Sequence, residues 1–416
     1  MKSLPCLSIS TIHIAGLILF LINCIKPLPA PAPVHLLAPV DNITLVSGEI
    51  SFTWQPVGKV SRYIIQITTD QKFRSFAIEE TVYQNSVSYY VQTDGQYWWR
   101  VRAQNEQGVW GDWTAPACFT LKRFTVVNSI KTQGYPHDIV IQGHYLYIAE
   151  GQAGFAVYDI TNPENPELLS RIMDSLNVAW GVEVRDSLAF LAYGYKELLI
   201  INIARPDSLK IVGVLEYPQP GYGYDVALRD SWVYIAAGAQ FIGVNISDPR
   251  YPNLRFQYYY PRNCRSLTIN NENCFVACEQ LGIAAWRVDT FPPIQIGSFD
   301  TPGNARGITS SGSTVMIADG RAGLMICDVS EPASIRQISS VSLPGYANSV
   351  TAIDSLVFVA CGSGGTAVVN CANTGLPFCM AQIATPYAYK VGGVPGSRYF
   401  YILDRDLGIV VVKKEF

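Results

Sequence analysis

An apolar run that ends on a polar residue recurs seven times over the C-terminal stretch of about 290 residues, and this periodicity constrains the fold more than any other feature. The polar residue is Asp159 in Ala156-Val157-Tyr158-Asp159, then Asn202, Asn245, Arg287, Asp328, Asn370 and Lys413, at steps of 43, 43, 42, 41, 42 and 43 residues. A second set, Asp138, Gly181, Asp225, Ser266, Gly307, Ser349 and Lys390, has steps of 43, 44, 41, 41, 42 and 41. Each repeat holds four strand-like pieces; in the first they are 138–142, 145–150, 155–160 and 167–172, separated by Gly143, by Gly151 to Gly154, and by Thr161-Asn162-Pro163. Four short strands in about 42 residues is the length of one propeller blade. A lone sheet of that size cannot bury both faces, so the repeats must stack around an axis. The reading is all-β, with a seven-bladed β-propeller over 123–416.

The last repeat stops after three pieces, at Val410–Lys414. Phe124-Thr125-Val126-Val127-Asn128-Ser129-Ile130 has the pattern of the missing fourth piece, seen also in 209–215 and 294–299. An N-terminal strand that completes the final sheet closes the ring and removes two open edges.

The repeats resemble the LVIVD family of extracytoplasmic propellers. The residues that carry the likeness are Ala153-Gly154-Phe155-Ala156-Val157-Tyr158-Asp159-Ile160-Thr161-Asn162-Pro163 and Ala322-Gly323-Leu324-Met325-Ile326-Cys327-Asp328-Val329-Ser330-Glu331-Pro332, with 240–249 as a looser copy. The fourth and sixth repeats depart most, at Trp286-Arg287-Val288-Asp289 and Val369-Asn370-Cys371-Ala372. The resemblance implies a surface or periplasmic location and no established catalysis. The recurrent Asp or Asn at the strand end is suited to accept backbone N–H groups and tighten the following turn.

Residues 34–121 read as short strands of period two: Ile50-Ser51-Phe52-Thr53-Trp54, Tyr63-Ile64-Ile65-Gln66-Ile67 and Tyr97-Trp98-Trp99-Arg100-Val101-Arg102. Trp54, the Asp94-Gly95-Gln96-Tyr97 run and Trp110-Gly111-Asp112-Trp113 resemble landmarks of a fibronectin type III β-sandwich, whose Tyr hydroxyl closes a corner. A generic immunoglobulin-like sandwich is the alternative. The expected role is that of a spacer, with Trp110 and Trp113 as loop aromatics that could bind carbohydrate or protein.

Met1-Lys2 and the apolar run from Ile12 to Ile22 fit a signal peptide over 1–23, too short to cross a bilayer comfortably. Leu21-Ile22-Asn23-Cys24 resembles a bacterial lipobox, with Asn23 in place of the usual small residue. It implies lipidation of Cys24 and a cell-envelope lipoprotein, in the outer membrane or at the cell surface. Ordinary cleavage near Ala30 or Ala32 would leave a secreted form. Residues 24–33, rich in Pro, read as a tether that would hold the first domain roughly 25–30 Å from the membrane.

Export permits disulfides. Cys274 and Cys278 lie too far apart on one strand to pair; Cys371 and Cys379 flank a turn, and Cys264 and Cys278 lie within one hairpin, so either pair is spaced to form a bridge. With no Cys-x-x-Cys and four His, neither a metal nor a cofactor is expected. A net charge of −3 without a basic stripe excludes a nucleic-acid partner. No phosphate loop, nucleophile elbow or zinc-protease motif is present.

One constellation remains. The starts of the inner strands carry His137, Trp180, Tyr224, Arg265, Arg306, Asn348 and Tyr389, with Lys390 beside them, and the ends of the second strands carry Glu150, Asp319 and Asp404. Both sets should open on one rim, with Asp138, Asp225, Arg321 and Arg405 nearby. The expected function is non-catalytic binding or scaffolding at the cell surface, with a protein or glycan held at the axial rim, aromatics stacking and charges orienting. The alternatives are a hub sealed by inter-blade hydrogen bonds, a carbohydrate hydrolase using Asp319 and Asp404, and a subunit of an envelope assembly.

Overall fold

A computed structural model describes residues 27–173, 177–194, 198–215 and 222–416. The signal segment and Cys24 lie outside the described residues. Among the described residues every regular element is a strand, and no helix is long and apolar enough to cross a membrane.

The first eight strands are β1 (Leu36–Ala38), β2 (Ile43–Leu45), β3 (Glu49–Trp54), β4 (Val60–Thr68), β5 (Ile78–Val82), β6 (Ser86–Tyr90), β7 (Gly95–Asn105) and β8 (Ala117–Leu121). They form two sheets, β1-β3-β6 and β2-β8-β7-β4-β5. The alternation in β3 and β7 turns Phe52, Trp54, Tyr97, Trp99 and Val101 into a shared core, where Phe52 meets Trp99 edge-on at 5.1 Å. The Trp99 indole donates to the Pro39 carbonyl at 2.7 Å, and the Tyr97 hydroxyl donates to the Thr93 carbonyl at 2.8 Å. The corner foreseen at Tyr97 is therefore present.

Trp110 and Trp113 are not free loop aromatics. Arg102 lies 4.7 Å from the Trp110 ring and 4.5 Å from Trp113; Arg100 lies 4.3 Å from Trp113 and 4.1 Å from Phe73. Guanidinium and ring planes alternate along one face of the larger sheet, so the ring faces that a ligand would need are covered. Trp113→Ala removes two of these contacts and is expected to cost the sandwich about 1–2 kcal/mol, read as a lower urea midpoint.

Seven four-stranded antiparallel sheets follow: I (138–172), II (179–215), III (225–264), IV (266–299), V (307–341), VI (349–383) and VII (388–414), the last completed by β9 (Phe124–Ile130). Strand β9 pairs antiparallel with Gly408–Lys414, placing Ile130 opposite Ile409. The first strands of neighbouring sheets touch in sequence, and that of sheet VII touches that of sheet I. A separate apolar cluster fills each of the seven junctions, including the one between Tyr401, Leu403 and Ile409 of sheet VII and Ile139, Ile148 and Tyr158 of sheet I. Burial at every junction is what holds a closed ring of sheets together. The strand-end residues act as the repeats suggest: Asp159, Asn202, Asn245, Asp328 and Asn370 each accept the backbone N–H two residues on, at 2.6 to 3.2 Å.

The sandwich meets the ring at sheet VI. Asp94 N donates to the Met380 carbonyl at 2.7 Å, and buried Arg123 bonds Asp94 at 2.6 Å and the Met380 carbonyl at 3.1 Å. A groove lined by Gly48 and Tyr90 of the sandwich and by Asp354, Leu356 and Lys414 of the ring runs along this contact. Asp354 follows the last residue of the first strand of sheet VI (Ser349–Ile353), so the sandwich sits toward the face where first strands end. At the opposite end of β7, Asn105 Nδ2 donates to the Pro29 carbonyl at 3.1 Å, and Leu28 N donates to Gln107 Oε1 at 2.7 Å. The stretch expected to be a free tether thus lies against the sandwich over 28–31, held by amide side chains of the 105–107 turn.

Candidate functional site

Each first strand starts on the face opposite the sandwich, and the residue just before or at its start points toward the axis. There His137, Trp180, Tyr224, Arg265, Arg306, Asn348, Tyr389 and Lys390 line one cavity of about 190 Å³. The sequence column that suggested this group is therefore brought together in space.

The aromatic residues form an arc in which rings cover rings. His137 stacks on Trp180 at 4.1 Å and lies 5.0 Å from Tyr389; Trp180 meets Tyr224 edge-on at 5.3 Å. Arg265 lies over Tyr224 at 4.1 Å while its Nε bonds Glu279 at 2.8 Å. Burial holds the His137 imidazole down at about 4, so it is neutral at physiological pH. Across the cavity Arg306 has no ion-pair partner among the described residues, and Asn348 Nδ2 and Trp180 Nε1 have no hydrogen-bond partner.

Glu150, Asp319 and Asp404 are elsewhere. All three are fully buried between strands and loops. Glu150 accepts from the Tyr158 hydroxyl and from Arg171, each at 2.5 Å. Asp319 accepts from Thr301 Oγ1 at 2.6 Å and Gly303 N at 2.8 Å; Asp404 accepts from the N–H groups of Tyr387, Asp406 and Leu407 at 2.7 to 2.9 Å. Each carboxylate ties down the backbone or side chains around it, and none reaches the cavity. Burial pushes Glu150 and Asp319 above the usual carboxylate range.

The floor of the cavity is a charge cluster. Lys390 Nζ lies 3.1 Å from Asp138 Oδ1, and Asp138 Oδ2 accepts the Val182 N–H at 2.9 Å. Asp225 accepts from Ser266 Oγ at 2.7 Å, Leu267 N at 3.0 Å and Val226 N at 2.9 Å. Asp138, Asp225 and Lys390 also border a second axial cavity, about 460 Å³, lined deeper by Glu183, Val140, Ala227 and Thr268. The three residues therefore divide the channel. Burial lifts Asp225 to about 6, Lys390 opposing and Asp138 adding to the rise. Burial, then repulsion from Asp138, lifts Glu183 to about 7. Burial opposes the Lys390 charge, but Asp138 and Asp225 outweigh it and hold its pKa above the ordinary value.

Glu183 escaped sequence reasoning, yet a signal existed. It shares its repeat position with Val140, Ala227, Thr268, Thr309, Thr351 and Gly392, and is the single charge in that column. All eight described cysteines are free; of the two pairs spaced for a bridge, the Cys264 and Cys278 thiols touch between sheets III and IV.

The sequence model of the LVIVD repeat family matches residues 133–174, 220–259 and 302–342. The chain carries LVIVD repeats. These three LVIVD segments overlie sheets I, III and V. Among solved structures, the chain is similar to one titled "Crystal Structure of Mitotic Checkpoint Complex", with 8% identity, a TM-score of 0.56, and coverage of 70% of this chain and 91% of that one. It is also similar to the computationally designed Ika8 protein, with 9% identity, a TM-score of 0.52, and coverage of 69% and 99%. At such identities the likeness is one of fold alone. No curated protein matches the sequence.

Proposed function

We propose that this LVIVD-repeat protein is an exported, non-catalytic binding or scaffold protein of the cell envelope. In this reading the ring is a seven-bladed β-propeller, the first domain is a fibronectin type III-like spacer, Cys24 carries the lipid, and the mouth receives a protein or glycan. One observation carries it: the sandwich contacts the ring toward the face opposite the mouth, while the preceding chain leaves from the far end of β7. That strand has 11 residues, about 35 Å at strand rise. Chain attachment, spacer, ring and mouth thus follow in order, and the mouth points away from the attachment. With residues 28–31 laid on the sandwich, the stand-off comes from the folded domain rather than from a flexible tether.

Two measurements test the reading. Labelled fatty acid should enter the full-length protein and be lost in Cys24→Ala. Purified protein on glycan arrays and in envelope pull-downs should retain a ligand that Trp180→Ala weakens at least tenfold and Trp113→Ala leaves unchanged. Turnover on a carbohydrate substrate panel, abolished by Asp225→Asn, would overturn the non-catalytic assignment.

A further inference from the structure

We infer that the mouth takes a singly charged carboxylate, that of a small organic acid or an acidic sugar residue, held by Arg306 and Arg265 above Lys390. This rests on the mouth being the binding site and names the chemistry it selects.

The aromatic arc does not offer what a neutral, stacking ligand needs. His137 and Trp180 cover each other at 4.1 Å, Arg265 covers Tyr224 at 4.1 Å, and Arg405 covers Tyr387 at 4.8 Å. A ligand on the axis therefore meets ring edges, which carry the positive end of the ring quadrupole.

Hydrogen-bonding capacity is lopsided in the same sense. The carboxylates that border the cavity are engaged: Asp138 by Lys390 and Val182 N, Asp225 by Ser266 Oγ, Leu267 N and Val226 N. Donors are left over. Arg306 has no carboxylate partner among the described residues, and Arg265 uses Nε on Glu279 and keeps its two terminal nitrogens. Arg265 and Arg306 occupy equivalent positions on adjacent sheets, so their guanidinium groups flank one sector of the cavity. Two planar forks beside one another suit an oxyanion that accepts several N–H bonds at once.

Charge selects among oxyanions. Arg265, Arg306 and Lys390 are matched by Glu279, Asp138 and Asp225. A monoanion leaves one surplus negative charge, whereas a phosphate dianion brings two against the Asp138 and Asp225 carboxylates below. The cavity, about 190 Å³, has room for a carboxylate with a few attached carbons.

Calorimetry on the full mature chain would use lactate and glucuronate as the two carboxylate sources, with glucose and inorganic phosphate as controls. The expected result is binding of at least one acid, at least tenfold weaker binding of glucose and phosphate, and a loss of at least tenfold in Arg306→Gln. Arg250→Gln, on an exposed turn of sheet III where it pairs with Asp248, should bind as the parent does. Arg306→Lys keeps the charge but not the fork and should fall between, which guards against misreading a folding defect. Lactate alone, or glucuronate alone, identifies the source. Equal binding of glucose and glucuronate, sensitive to Trp180→Ala but not to Arg306→Gln, overturns the carboxylate while sparing the mouth as a site. Binding that no mouth variant alters, or none at all, overturns both.

Discussion

Replacing Lys390 with methionine is expected to destabilise the ring by about 3 kcal/mol at pH 8, and by much less at pH 5. Among the described residues Lys390 is the one cation at the floor of the mouth, 3.1 Å from Asp138, with its side chain one-quarter exposed. Without it Asp138, Asp225 and Glu183 face one another across a narrow channel. Breaking a buried pair by removing one partner usually costs about 3–5 kcal/mol, and the partial exposure of Lys390 argues for the lower end. Relief on acidification follows because protonation removes the repulsion.

The parent protein carries the same dependence in weaker form. Glu183 has a folded-state pKa of about 7 against an ordinary value of 4.5, and Asp225 about 6 against 3.8. Between the ordinary and folded values the native state binds more protons than the unfolded chain. Stability from these groups is therefore full below about 4 and falls as pH rises through 6 to 7. A shift of this size at Glu183 corresponds to about 3 kcal/mol. Urea unfolding at pH 5 and pH 8 measures it. Glu183→Gln should flatten the profile, and Lys390→Met should steepen it; a Lys390→Met profile parallel to that of the parent would show that the lysine does not neutralise the floor.

The ring was legible because each repeat restates one rule: alternating apolar residues, a polar residue at the strand end, a Gly or Pro turn. Repetition also made the mouth legible, since equivalent positions in a closed ring converge on the axis whatever their side chains. The sequence misled where a residue stood just past a strand. Ala149, Ala318 and Leu403 still obey strand alternation, but Glu150 and Asp319 follow the last paired residue, and Asp404 is the last one itself. At that point local backbone donors decide the direction, and Gly303 N or the Tyr387 N–H captures the carboxylate. Nor could spacing reveal that rings would cover rings in the mouth, that Arg100 and Arg102 would sheath Trp113, or that Asn105 and Gln107 would hold residues 28–31. Each depends on side chains distant in sequence or on rotamers that periodicity does not specify.

Arg123→Met should uncouple the sandwich from the ring. The Arg123 side chain is 2% exposed and makes three hydrogen bonds: its Nε bonds Asp94 Oδ1 at 2.6 Å, and its Nη2 donates to the carbonyls of Gln92 at 2.6 Å and Met380 at 3.1 Å, while the backbone N bonds Asp94 Oδ2 at 2.8 Å. The methionine side chain fills much of the space but supplies no donor: Asp94 loses its cationic partner and keeps only the residue 123 N–H, the Gln92 carbonyl loses the guanidinium, and the Met380 carbonyl keeps only the Asp94 N–H. The expected cost is about 3–5 kcal/mol. It should fall on ring closure as well as on docking, because the Arg123 carbonyl accepts the Glu415 N–H at 2.9 Å and β9 begins at the next residue. Calorimetry should then resolve two transitions where the parent has one, and small-angle scattering should register a larger radius of gyration. Adding Asp94→Leu removes the stranded charge and should recover part of the loss, since deleting both members of a buried pair costs less than deleting one. A single unshifted transition in Arg123→Met would mean that the junction is held by the apolar groove around Tyr90, Leu356 and Phe416 instead.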